Sequence, residues 1–200
     1  MKKKFLKSSM ILIEKTKKYN DEQLEIIAYG LESMYLTFTK MIVLFLISFV
    51  LGIFKETILL LVTYNIIRSQ AFGIHATKSI YCLISSLILF VGGALICKYC
   101  ILPFEIVISL ALVCNVCLLL YAPADTHKRP LVNSKRRKRF KLISFLLGII
   151  YTILIIAFKE SSIVNFMLVG MIEAVIMILP ITYKIFNLPY NNYQTYNYGV

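Results

Sequence analysis

The sequence predicts an all-α membrane protein with six transmembrane helices, the second of them short or partly re-entrant. An amphipathic interfacial helix precedes them, and both termini are cytoplasmic. Three observations carry this. Hydrophobic residues make up 59% of 200 residues and the mean hydropathy is +0.78, values outside the range of soluble domains. The apolar residues gather in long runs separated by short charged segments. The positive charge is also unevenly shared among those segments, as the topology of inserted helices requires.

Taken in order, residues 1–33 read as a basic amphipathic lead-in. Asn20 and Gln23 have capping-box spacing, and Leu24, Ile27, Leu31 and Met34 recur at helical intervals. This pattern fits a helix lying in the interface, or one packed on the cytoplasmic side of the protein. The transmembrane bundle spans 34–181. Its first span, Met34–Phe54, ends at a turn expected at Lys55-Glu56. Thr57–Ile67 follows, an apolar run of only about 16 Å as a helix. A hydrocarbon core of ~30 Å is too thick for it, so either the polar residues after it sink below the headgroups or the segment is tilted and re-entrant. The remaining spans are Ile80–Cys97, Ile101–Tyr121, Leu142–Phe158 and Ile163–Ile181, with a basic loop over 122–141 and a tail over 182–200 rich in Asn and Tyr. The whole reads as one polytopic domain with no cleavable signal peptide.

Placing the N-terminus inside puts nineteen of the twenty-two Lys and Arg residues on the inner side, and leaves Lys55, Lys98 and Lys159 outside. The net charge of +12 therefore points to topology and anionic inner-leaflet lipid rather than nucleic acid. The cysteines suggest no disulfide framework. Cys97-x-x-Cys100 and Cys114-x-x-Cys117 imitate a zinc pattern. One apolar helix separates the pairs by about 25 Å, however, so no metal site is expected. Glu173 lies within the last span, where a carboxylate calls for a cation; Arg68 and Lys40 are the candidates.

The polar island from Arg68 to Cys82 holds the chemistry. It contains His75, one of two histidines, and Cys82 at the start of the next apolar run. His127, the other, sits in the basic loop and reads as solvated. A thiol and an imidazole are the minimum for nucleophilic acyl transfer, because the base keeps the sulfur as thiolate. On one continuous helix the two would stand about 10 Å apart, so the chain must bend between them, at Gly73 or Ser79. With Ser79 as N-cap, Cys82 falls in the first helical turn, where the dipole favours an anion. The plainer alternative takes Cys82 as apolar filler and His75 as an ordinary hydrogen-bonded polar group.

Arg68, Phe72-Gly73, His75-Ala76 and Cys82 together resemble the signature of the accessory gene regulator protein B (AgrB) family, the membrane cysteine endopeptidases of quorum sensing. Tyr29-Gly30-Leu31-Glu32 resembles that family's amino-terminal element, and Ala122 to Asp125 with Arg129 to Leu131 its central loop. Phe72 departs from the pattern, which has glycine there. The resemblance implies Cys82 as nucleophile and His75 as base, with an AgrD-type propeptide as substrate. It implies cleavage of the propeptide's acidic carboxy-terminal tail through an acyl-enzyme, then closure of a thiolactone or lactone ring in an autoinducing peptide. It calls for no metal or organic cofactor. Gln70, Glu32 and Asp125 are candidates to orient His75, and Arg68 to bind the tail or stabilise the oxyanion. The site would face the cytoplasm from a multi-pass protein of the cell membrane. The oligomeric state is left open, a homo-oligomer included. The competing reading is a non-catalytic peptide carrier or exporter, its path lined by Glu173, Arg68 and Lys40.

Overall fold

The computed structural model describes residues 2–16, 19–74, 79–126 and 130–196. It contains nine α-helices among those residues, in two compact units, Met1–Val50 and Leu51–Val200. In the first unit α1 (Lys2–Thr16) and α2 (Asp21–Val50) are joined by the short segment that ends at Asn20. The capping box forms as expected: Asn20 Oδ1 accepts from the Gln23 N–H at 2.8 Å, and Gln23 Oε1 accepts from the Asn20 N–H at 3.2 Å. The interfacial helix and the first span are not separate, however. Nothing between Met34 and Val50 interrupts the hydrogen-bond ladder, so α2 is one helix of 30 residues.

The second unit holds α3 (Phe54–Ala71), α4 (Ser79–Ser86), a π-helical turn (Leu87–Gly92), α5 (Gly93–Tyr99), α6 (Phe104–Tyr121), α7 (Ser134–Ala157), α8 (Ile163–Ile176) and α9 (Pro180–Ile185). Among the described residues four helical stretches are long and apolar enough to cross a membrane: Gln23–Val50, Ile80–Tyr99, Phe104–Tyr121 and Ser134–Ala157. Ile163–Ile176 is apolar but shorter. Large apolar side chains face outward along these helices, for instance Val113, Val116 and Leu120 on α6, as lipid-facing surfaces require.

Several boundaries differ from the sequence reading, each for a local reason. The turn lies at Leu51-Gly52, where Gly52 has φ +66°. Lys55 and Glu56 lie in the first turn of α3 instead, and an acid there suits the helix dipole. Lys98 then bonds the Gly52 carbonyl at 3.0 Å and pairs with Glu56 at 3.4 Å. With its polar ends included, α3 has 18 residues, about 27 Å, so it is not the stub that its apolar run suggested. The basic run Lys135–Arg139 is the first part of α7 rather than loop, because Asn133 caps it by accepting from the Lys135 and Arg136 N–H groups. The last expected span breaks after Ile176. Pro180 offers no N–H and would clash with the carbonyl four residues back, so the chain restarts as α9.

Helix α3 packs against α7 and α8, and polar groups tie it to both. Tyr151 donates to the Thr63 carbonyl at 2.8 Å, and the Thr63 hydroxyl donates to the Phe166 carbonyl at 3.0 Å. On the neighbouring pair, Asn115 of α6 donates to Thr152 of α7 at 2.7 Å.

Candidate functional site

The site end of the second unit is built where α3 runs out. Phe72 and Gly73 leave the helix with φ +59° and +107°. The strand-like segment that results is held on both sides. Ala124 donates to the Ala71 carbonyl at 3.0 Å and accepts from the Gly73 N–H at 2.7 Å, which forms a parallel bridge. The Ile74 N–H donates to the Met177 carbonyl at 3.0 Å. That carbonyl is available because Pro180 ended α8 just before it; in a continuous helix it would be used internally. Arg68, in the last turn of α3, completes the clamp by donating from Nη2 to the Ile74 carbonyl. Ile74, the residue that precedes His75, is thus held at both its N–H and its C=O.

The predicted site residues fall as follows. His75 lies outside the described residues, as does His127. Cys82 is a half-buried free thiol in the first turn of α4, which begins at Ser79, one residue ahead of the expected start. Its carbonyl accepts the hydroxyls of Ser85 and Ser86 at 3.1 and 2.8 Å. Gln70 is half-buried on α3 and donates to the Ser69 hydroxyl at 3.2 Å. Glu32 is half-buried on α2, in the other unit. Arg68 keeps a second donor, Nη1, buried with no hydrogen-bond partner among the described residues. Glu173 is 5% exposed and its Oε2 is likewise unpaired. No ion pair joins Glu173 to Arg68 among the described residues, which corrects the first of its two expected pairings. Tyr64 of α3, one turn before Arg68, is buried at 8% exposure. Its ring meets Phe90 of the π-helical turn edge-on at 5.2 Å, and widened helical turns of this kind recur at functional positions.

Asp125 is 3% exposed, and its carboxylate accepts three backbone N–H groups: Asn192 on Oδ1 at 2.9 Å, and Tyr193 and Leu131 on Oδ2 at 2.8 and 3.1 Å. Its carbonyl takes the Tyr183 hydroxyl at 2.9 Å. Burial, reinforced by Asp125 and Tyr190 against Arg68, pushes the Tyr183 phenol well above its ordinary value, so it stays an O–H donor. Sequence reasoning missed Tyr183, the Met177 carbonyl and the tail. Pro180 was the one local signal that could have exposed the second of these.

Phe72 gives the departure from glycine a physical meaning, since a β-carbon at positive φ costs about 1–3 kcal/mol. Its ring packs edge-on against Phe140 at 5.0 Å, which offsets about 0.5–1.5 kcal/mol. Phe72→Ala keeps the strain and loses the ring, whereas Phe72→Gly loses the ring and releases the strain. Thermal unfolding in detergent should therefore rank the alanine variant about 1–2 kcal/mol below the glycine variant. Equal stabilities would mean that the backbone here is not strained.

Comparison with known proteins follows the same residues. The family profile described as Accessory gene regulator B matches residues 7–179. A putative AgrB-like protein of Clostridium acetobutylicum is 35% identical over 84% of this chain and 80% of its own length. One from Listeria innocua is 32% identical over 93% of this chain and 92% of its own. The accessory gene regulator protein B of Staphylococcus aureus is 32% identical over 76% of this chain and 80% of its own. No solved structure matches.

Proposed function

Since the chain belongs to the accessory gene regulator B family, whose role is in accessory gene regulator peptide maturation, we propose that it is a membrane-embedded cysteine endopeptidase that also closes a ring in its product. Cys82 is the nucleophile and His75 its base. The Cys82 thiolate attacks the carbonyl carbon of the peptide bond before the propeptide's carboxy-terminal tail. The C–S bond forms, the C–N bond breaks, and the His75 imidazolium gives its proton to the departing amine. A Cys or Ser of the same substrate then loses its proton to His75 and attacks the thioester. A thiolactone or lactone forms, and Cys82 leaves as thiolate. A poorly hydrated recess slows hydrolysis of the thioester, so capture by the tethered nucleophile wins.

One observation supports this reading above the others: the Gly73–Ile74 segment directly before His75 is clamped by Arg68, Met177 and Ala124 at the end of the bundle. A group that must give and take protons at fixed positions needs such an anchor. Four exposed cations at the start of α7, Lys135, Arg136, Lys138 and Arg139, suit an acidic substrate tail and the anionic inner leaflet. In this reading the protein is multi-pass, with the site open to the cytoplasm.

Co-expression with a matching propeptide tests the proposal by mass spectrometry. The expected products are the free tail and a core one water lighter than its linear form. A propeptide whose ring nucleophile is replaced by alanine should instead accumulate as a covalent adduct on Cys82. Intact propeptide carried across the membrane, with no tail released, would establish a carrier in place of a peptidase.

A further inference from the structure

We infer that Asp125 is a positioning residue that makes the C-terminal tail part of the active site, by fastening residues 189–195 to the segment that presents His75. The inference rests on the peptidase reading above and assigns work to a carboxylate and a tail that reading leaves unused.

The geometry runs in an unbroken line. In the tail, Asn191 turns the chain at φ +56° and starts the 3-10 turn Asn192–Thr195. The free N–H groups at the start of that turn, those of Asn192 and Tyr193, point at the two oxygens of Asp125 at 2.9 and 2.8 Å. The Asn192 side chain is 2% exposed and braces the turn through the Pro189 carbonyl at 2.8 Å. Two ring contacts close the strap over the loop: Tyr190 edge-on to Tyr183 at 5.0 Å, and the Arg137 guanidinium 3.7 Å above Tyr193. One residue upstream of the knot, Ala124 exchanges both backbone bonds with the Ala71–Gly73 segment. A shift in Asp125 therefore passes through Ala124 to Gly73, and from Ile74 into the His75 backbone.

A buried carboxylate satisfied by three N–H groups is costly to leave half-bonded. Removing the tail strips two of them and should loosen the bridge. Had Asp125 served only to orient the imidazole, neither the tail donors nor the Tyr183 hydroxyl would be needed.

A double-mutant cycle decides between these roles. The variants are Asp125→Asn, a chain ending at Leu188, and the two combined, each reconstituted in liposomes with propeptide. Each single change should lower kcat on the order of 10²-fold, as misplacement of a reacting group does, with KM little changed. The combined variant should be no worse than the poorer single one, because both cut the same tie. Amide exchange at Gly73 and Ile74 should quicken in the shortened chain, and an excess of a peptide covering 189–200 should restore turnover. Where truncation impairs insertion, a protease site placed after Asn187 and cut in the folded protein serves instead, with the same loss expected. Full turnover after the cut, unchanged exchange at Gly73 and Ile74, or losses that multiply in the combined variant would each overturn the inference. Absence of cleavage by the intact full-length protein would instead overturn the peptidase reading, and this inference with it.

Discussion

Replacing Cys82 with alanine is expected to leave the propeptide uncleaved while the protein still accumulates in the membrane. Both halves of that expectation follow from where the sulfur sits. Cys82 is half-buried, and among the described residues its thiol makes no hydrogen bond; the neighbouring serines bond its carbonyl, which alanine retains. Losing one sulfur there removes little packing, on the order of 1 kcal/mol or less. Losing a covalent nucleophile costs on the order of 10⁶-fold in turnover, and a second deletion in the same unit costs almost nothing more. His75→Ala should therefore match Cys82→Ala, and the double variant should be no slower than either. Cys97 and Cys114 are buried within helices and cannot take over. Tail release that survives Cys82→Ala would refute nucleophilic catalysis by this residue, whatever family the chain belongs to.

The parts of this molecule that could be read from sequence are those governed by neighbours in the chain. The Asn20–Gln23 capping box and the start of α4 are decided within one turn; the sequence reading has the first and places the second one residue late. The apolar runs find the helices because burial in lipid needs little beyond hydropathy. Reading fails where a local signal was weighed by the wrong rule. Charge alone places the Lys135–Arg139 run in a loop, although Lys and Arg are good helix formers and Asn133 stands ready to cap them. Pro180 lay inside an apolar run, so hydropathy passed over the break that frees the Met177 carbonyl. The tail was illegible for a deeper reason. Asn192 meets Asp125 across 67 positions of sequence, and no periodicity in an Asn- and Tyr-rich stretch announces such a contact. The candidate pair His75 and Cys82 could be proposed from chemistry alone, but the clamp before His75 is assembled from three separate stretches of chain, 68–74, Ala124 and Met177.

Gly73→Ala should cost on the order of 10²-fold in turnover, although the residue carries no chemistry. Its φ of +107° is poorly tolerated by any residue with a β-carbon, at about 1–3 kcal/mol. Space is the harder limit. A β-carbon here would collide with Arg68 Nη1 and the Met177 carbonyl oxygen, and would lie 2.8 Å from the Met177 carbonyl carbon. Arg68 can swing away, but only by releasing the Ile74 carbonyl; Met177 is backbone and cannot. The segment itself has no slack, since the Gly73 N–H is bound to Ala124 at 2.7 Å and that of Ile74 to Met177 at 3.0 Å. Relief must therefore come from breaking one of these bonds, and the resulting shift enters His75 through its own peptide. A loss on the order of 10²-fold or more in kcat is expected, with a lower unfolding temperature. Gly52→Ala is the control that separates strain from collision. Gly52 also has positive φ, +66°, but a β-carbon there meets nothing within 4 Å. That variant should lose a little stability and keep its turnover. Equal turnover in the two variants would mean that the clamp does not position His75, and that catalysis tolerates a loop free to settle where it will.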